Sequence, residues 1–194
     1  MYRKLRSLFN VDGWKNIHFG PPIAKFEIKV SGPKGGSYDH QQQVDLSIER
    51  LRNVNLLRSV HPCFNSENFS KTSHILKEGE IYEARIFPVL NKTSSRECLD
   101  FLRKRGAIPP GAQGLTLVLE QSLDELPINI WLVSPDEKDM LPNEKILGIW
   151  ERKVSPRGRL TFDTKTGRLV VTLRCVSFES GLSPYRALLA FFKK

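Results

Sequence analysis

The chain has 194 residues, 40% apolar and 26% charged, with 30 Lys/Arg against 21 Asp/Glu and a formal net charge of +9. That is globular rather than disordered composition, and it is long enough to bury a real core without disulfide staples. The N-terminus lacks the apolar core of about 7 to 15 residues that a secretory signal needs, and no run approaches the roughly 18 apolar residues of a membrane span. A cytoplasmic location is therefore expected.

The charge is uneven. Residues 1–60 hold ten Lys/Arg and five Asp/Glu, residues 61–150 hold ten and thirteen, and residues 151–194 hold ten and three. Two basic ends flank a mildly acidic middle, which suits a polyanionic partner and equally suits plain solubility. Cys63, Cys98 and Cys175 are scattered and form no CxxC pair, so neither a zinc ribbon nor a redox pair is indicated, and free thiols fit a reducing compartment.

In chain order, residues 1–22 read as a basic arm. Its "YRKLRSLF" could make about two helical turns before Gly20-Pro21-Pro22. The remainder, 23–194, is expected to form one α+β domain. "AKFEIKVSG" alternates as a strand with Phe26, Ile28 and Val30 inward and Lys25, Glu27 and Lys29 outward. "SGPKGGSYDHQQQ" reads as a flexible loop. "VDLSIERLRNVNLLRSV" spaces apolar residues at 44, 48, 51, 54 and 57, which predicts a single helix. "GEIYEARIFPVL" alternates imperfectly through Ile81, Arg85 and Phe87, with Glu83 outward, and predicts a strand ending at Pro88.

"SSRECLDFLRKRGAIPPG", residues 94–111, carries the clearest helix signals. Ser94 and Glu97 are spaced for a capping box, Cys98, Leu99, Phe101 and Leu102 form the apolar stripe, and Gly106 ends the helix. "LTLVLEQSLDEL" predicts a second helix stopped by Pro127, its Thr116 and Val118 leaving a strand open for the first half. "INIWLVS" is a short buried strand and "SPDEKDMLPNEK" a solvated acidic loop. Strands are expected at 146–154, 158–163, 167–178 and 185–192. In the hairpin around Thr164–Gly167, Asp163 faces Arg168, which pairs Thr161 with Val170, Arg159 with Thr172 and Arg157 with Arg174. Leu160, Phe162, Leu169, Val171, Leu173 and Cys175 then share the core face.

The hairpin's outer face is the leading candidate site. Arg157, Arg159, Arg168 and Arg174 could contact phosphates, although Phe162 points inward and leaves the ribbon without the aromatic interleaving that single strands need. A solvated strand face alternates in the same way. Asp136, Glu137 and Asp139 lack the glycine and spacing of a calcium loop. His61, Cys63 and His74 have no spacing that fixes a metal or a nucleophile–base pair. "PPGAQG" at 109–114 could cradle an anion with its backbone. No nucleophile elbow, P-loop or dinucleotide fingerprint is present. No cofactor is expected.

"FNSENF", "EARIFPVL", "TSSRECLDFLRKRGAIPPGAQGLTLVLEQ", "LPINIWLVS" and the closing "YRALLAFFKK" together resemble a set of uncharacterised bacterial proteins, largely from uncultivated lineages, over about residues 44–194. The shared features are caps, turns and core faces, and the resemblance implies a structural kinship with no catalytic residue to carry over. The helix pair before a terminal sheet is also reminiscent of C-type-lectin-like ligand-binding domains at the level of fold.

The expectation is thus two or three helices on a mostly antiparallel sheet. The leading functional expectation is a non-enzymatic interaction module that contacts another protein. A nucleic-acid binder using the hairpin arginines and the arm is the alternative, and a small hydrolase or nuclease with a scattered site is the third.

Overall fold

The computed structural model describes residues 18–32, 36–62, 64–69, 71–136, 140–141, 152–177 and 186–194. Its elements are β1 (Ala24–Lys29), α1 (Gln43–Asn53), β2 (Leu57–Val60), β3 (Ile81–Pro88), α2 (Ser95–Lys104), α3 (Gly111–Gln121), β4 (Trp131–Val133), β5 (Met140–Leu141), β6 (Arg152–Asp163), β7 (Arg168–Ser177) and β8 (Arg186–Lys193). Seven strands lie in the order β1-β3-β8-β4-β6-β7-β2, and β5 continues alongside β6. The pairs β4/β8 and β2/β7 are parallel and the others antiparallel. The architecture is therefore α+β, with three α-helices among the described residues on a mostly antiparallel sheet.

Strand alternation divides the sheet into two faces. The first carries Phe26, Ile28, Tyr82, Ala84, Ile86, Leu132, Leu160, Val171, Leu173, Leu189 and Phe191, packed under α1 and α3 in the main core. Residues 111–119 of α3 are all buried. A helix apolar on every side is what a position sandwiched between α1 and the sheet requires, and the strand alternative for Thr116 and Val118 is not realised. Two glycines permit that close approach. A Cβ on Gly114 would lie 2.3 Å from the Pro110 side chain and 3.1 Å from the Phe191 ring, and one on Gly158 would meet Leu119 at 3.0 Å.

The second face carries a smaller core, in which α2 sets Cys98 and Leu102 on Phe87, Val133, Leu188 and Ala190. The capping box forms as its spacing demands: the Glu97 N–H donates to Ser94 Oγ at 3.2 Å, and the Ser94 N–H donates to the Glu97 carboxylate at 2.7 Å. These bonds from Ser94 hold the Glu97 carboxyl below its ordinary range. Gly106 follows with φ +62.

Several readings need correction. The helix of residues 44–60 stops at Asn53, because Asn55 takes φ +57 and Leu57–Val60 become an edge strand parallel to β7. Val54, counted in the helical stripe, is half exposed. In β3 the main core takes Tyr82, Ala84 and Ile86, while Ile81 shares the other face with Glu83, Arg85 and Phe87. The strands expected at 146–154 and 158–163 are one continuous β6 through Pro156, and residues 146–151 lie outside the described residues. The hairpin register matches expectation at every pair from Arg157↔Arg174 to Asp163↔Arg168. Phe162 is on the core side but 53% exposed, since it lies beyond the reach of the helices. The helical turns expected in residues 1–17 fall outside the described residues.

Candidate functional site

The chain's chemistry gathers on the second face, beside the area that α2 covers. β4 pairs with β6 through Trp131↔Arg159 and Val133↔Arg157, and with β8 through Trp131↔Arg186. Register alone therefore sets Trp131 between two arginines, with Arg157 and Arg174 one row further along the strands. Three guanidiniums surround the indole: Arg157 at 4.5 Å from the ring centroid, Arg159 at 5.8 Å and Arg174 at 5.9 Å. Cations over the face of a tryptophan gain from the ring quadrupole, most of all when partly desolvated.

The electrostatics are one-sided. Among the described residues no carboxylate ion-pairs with Arg157, Arg159 or Arg174. The Nε–H groups of Arg157 and Arg159 are buried and donate to no described partner. Arg159 donates to the neutral Asn129 side chain at 3.4 Å. Burial lowers the pKa of Arg157, and the charges of Arg186 and Arg174 lower it further. Arg186 is lowered by burial as well. Like charges held together in a part-buried place cost free energy that an anion would recover.

Three of the four sequence candidates, Arg157, Arg159 and Arg174, are brought together. Arg168 is not. It stands six residues from Arg174 along β7, about 20 Å at the usual rise, and lines a separate open cleft with Arg58, Asn55 and Asp163. Sequence reasoning missed Trp131 and Arg186. The hairpin does lack an aromatic of its own on this face, but the neighbouring β4 supplies one.

The remaining candidates have structural roles. The thiol of Cys98 is fully buried and its pKa is raised by that burial and by Glu97, which makes it a core atom rather than a nucleophile. His61 is exposed, and Cys63 lies outside the described residues. His74 belongs to a buried network whose protons can be followed. Tyr82 OH donates to Glu80 at 2.5 Å, so it accepts from His74 Nε2 at 3.1 Å. Thr72 Oγ1 donates to the His74 carbonyl, so it accepts from His40 Nε2, and His40 Nδ1 takes the Tyr38 hydroxyl proton at 3.0 Å. Both ring nitrogens of His40 are thereby used, and burial first, then His74, lowers its pKa.

Asp136 overturns the solvated-loop reading. It is 1% exposed and accepts from the Ser73 N–H at 2.9 Å and the Ser73 hydroxyl at 2.6 Å. Its Oδ2 is 3.8 Å from where a Gly111 Cβ would stand. The anion beside the "PPGAQG" turn is thus the chain's own carboxylate at the amino end of α3, where the helix dipole favours it. Glu137 and Asp139 lie outside the described residues. Among the described residues no group of three or more His, Cys, Asp or Glu could hold a metal, and no helix is long and apolar enough to cross a membrane.

No family model, curated protein or solved structure matches the chain.

Proposed function

We propose that the protein binds single-stranded nucleic acid through Trp131 and Arg157, Arg159, Arg174 and Arg186. The observation that carries this reading is the set of arginines gathered on one tryptophan, three of them without a described carboxylate. Phosphates answer the charge, and a base answers the ring. Stacking on an aromatic contributes about 1–3 kcal/mol per base and needs the base out of a duplex. The part-buried setting of Trp131 suits an unpaired base better than a duplex, whose rings face inward. A protein partner has less support among the described residues, whose exposed large apolar side chains, Val54, Ile75, Ile81, Ile128 and Phe162, lie on separate segments.

The test is fluorescence anisotropy with a labelled oligothymidylate and a duplex control. Single-strand binding is expected, with log K falling on log salt at a slope of about −2 to −3 for three or four phosphates. The double variant Arg159→Glu/Arg174→Glu is expected to lose more than tenfold. Absence of binding at about 50 mM salt, or an unchanged double variant, would sink the reading.

A further inference from the structure

The chemistry of the Trp131 site occurs a second time on the same sheet face, on the far side of α2. A cleft of about 450 Å³ is lined by Phe19, Lys25, Arg85, Phe87, Arg105 and Phe192 together with the Gly20–Pro22 turn. Its walls are guanidiniums laid on phenyl rings: Arg85 stands 3.9 Å over the Phe192 ring, and Arg105 stands 3.9 Å over Phe101. Phe101 in turn packs on Phe19 at 4.0 Å and on Phe87 at 5.1 Å, which fixes the α2 end of the cleft.

The charge balance here also leaves cations over. Glu83 pairs with Arg85, and Glu27 pairs with Lys194 at 2.6 Å. Lys25 and Arg105 have no described carboxylate partner. Both are exposed, so they can meet a ligand without rearrangement. The cleft is open at the surface and half apolar, which fits a planar ring with an anionic group attached rather than a bare anion.

Register gives the separation. Trp131 pairs with Arg186 on β8, and Arg85 pairs with Ala190 on the other side of β8. Four residues along a strand at about 3.3 Å and two strand spacings of about 4.8 Å put the sites about 16 Å apart. At about 3.4 Å per stacked nucleotide that is roughly five nucleotides, within the footprint of about 4 to 16 nucleotides that single-strand binding folds occupy.

We infer that this cleft is a second nucleotide subsite, which holds a base and a phosphate of the same single strand about five nucleotides from the one at Trp131. This rests on the reading of the Trp131 site given above. Lys25 and Arg105 are the phosphate contacts of the second subsite.

The test uses oligothymidylates of about 4 and about 16 nucleotides, lengths that fall respectively below and above the two-site span, against the full chain and Lys25→Glu/Arg105→Glu. The 16-mer is expected to bind at least tenfold tighter than the 4-mer. The variant should lose that length advantage and flatten the 16-mer salt slope by about 1.4, the value for two phosphate contacts on a single strand. Its 4-mer affinity should stay within about twofold. Binding of both oligomers with equal strength, or an unchanged variant slope, overturns the second subsite alone. No binding of either oligomer to the wild type overturns both proposals. A fall in 4-mer and 16-mer affinity together, with altered circular dichroism, marks a damaged fold. In that case Lys25→Gln/Arg105→Gln is measured, and the same slope change of about 1.4 decides.

Discussion

On one face of the sheet, Tyr82, Phe191, Val171 and Leu173 lie sealed under α1 and α3; on the other, Trp131 and four arginines share a surface that α2 covers only as far as Val133. The strands are the same, so the difference is in the alternate residues. β7 shows it within one element: Leu173 is fully buried, and its neighbour Arg174 is exposed. A sheet needs only one apolar face to fold, and the other is free to hold groups that favour a ligand over stability. Desolvated, mutually repelling arginines are such groups, since they weaken the empty protein.

The contrast can be broken first at its apolar end. Phe191 has no exposure and stacks on Tyr82 at 5.4 Å. Phe191→Ala is expected to cost about 3–5 kcal/mol in urea unfolding, whereas Trp131→Ala should cost less than about 1.5 kcal/mol. Equal losses would mean that the indole is core and the two faces are not distinct in kind.

A middle-sized effect is expected at His40, on the sealed side. Burial lowers its folded pKa, so the unfolded chain takes up a proton first as pH falls below about 6.5. Stability is therefore present at neutral pH and declines as pH falls from there. His40→Gln should start about 1–2 kcal/mol lower, from lost hydrogen bonds, and show a shallower decline between pH 7 and 5. A wild-type urea midpoint that does not move over that range would contradict a neutral, buried imidazole.

The smallest effect sharpens the comparison from the cationic side. Arg157→Met keeps the long side chain and removes a desolvated charge that no described carboxylate meets. It is expected to raise thermal stability by about 0.5–1 kcal/mol while weakening oligonucleotide binding, the usual trade at a functional site. A variant that is both less stable and unchanged in binding would show Arg157 to be a structural residue.

Local signals in the sequence were sufficient for much of this fold. The α2 cap, its stripe and Gly106 act within one turn, and the β6/β7 register follows from one tight turn and strict alternation, so both could be read directly. The arginine cluster could be half read for the same reason. What it lacked was Trp131, which reaches the arginines only because β4 inserts between β6 and β8, a non-local pairing with no local mark. Asp136 looked like loop charge because its partner Ser73 is 63 residues away. The break at Asn55 was hidden because Leu57 continues a helical spacing while serving as the first residue of an edge strand.

The place of β8 has a consequence for how the molecule is assembled. β8 lies between β3 and β4, and its pairing of Ala187 with Pro88 closes a loop of roughly a hundred residues. Until residues 186–193 arrive, β1–β3 and β4–β6–β7–β2 are two half-sheets that no strand pairing links among the described residues, each with an open edge that could seize a strand from another chain. A nascent chain has neither the complete main core nor Arg186 in place before that strand is made. The slow, long-range closure typical of such topology therefore seals the fold and completes the cationic surface in one event.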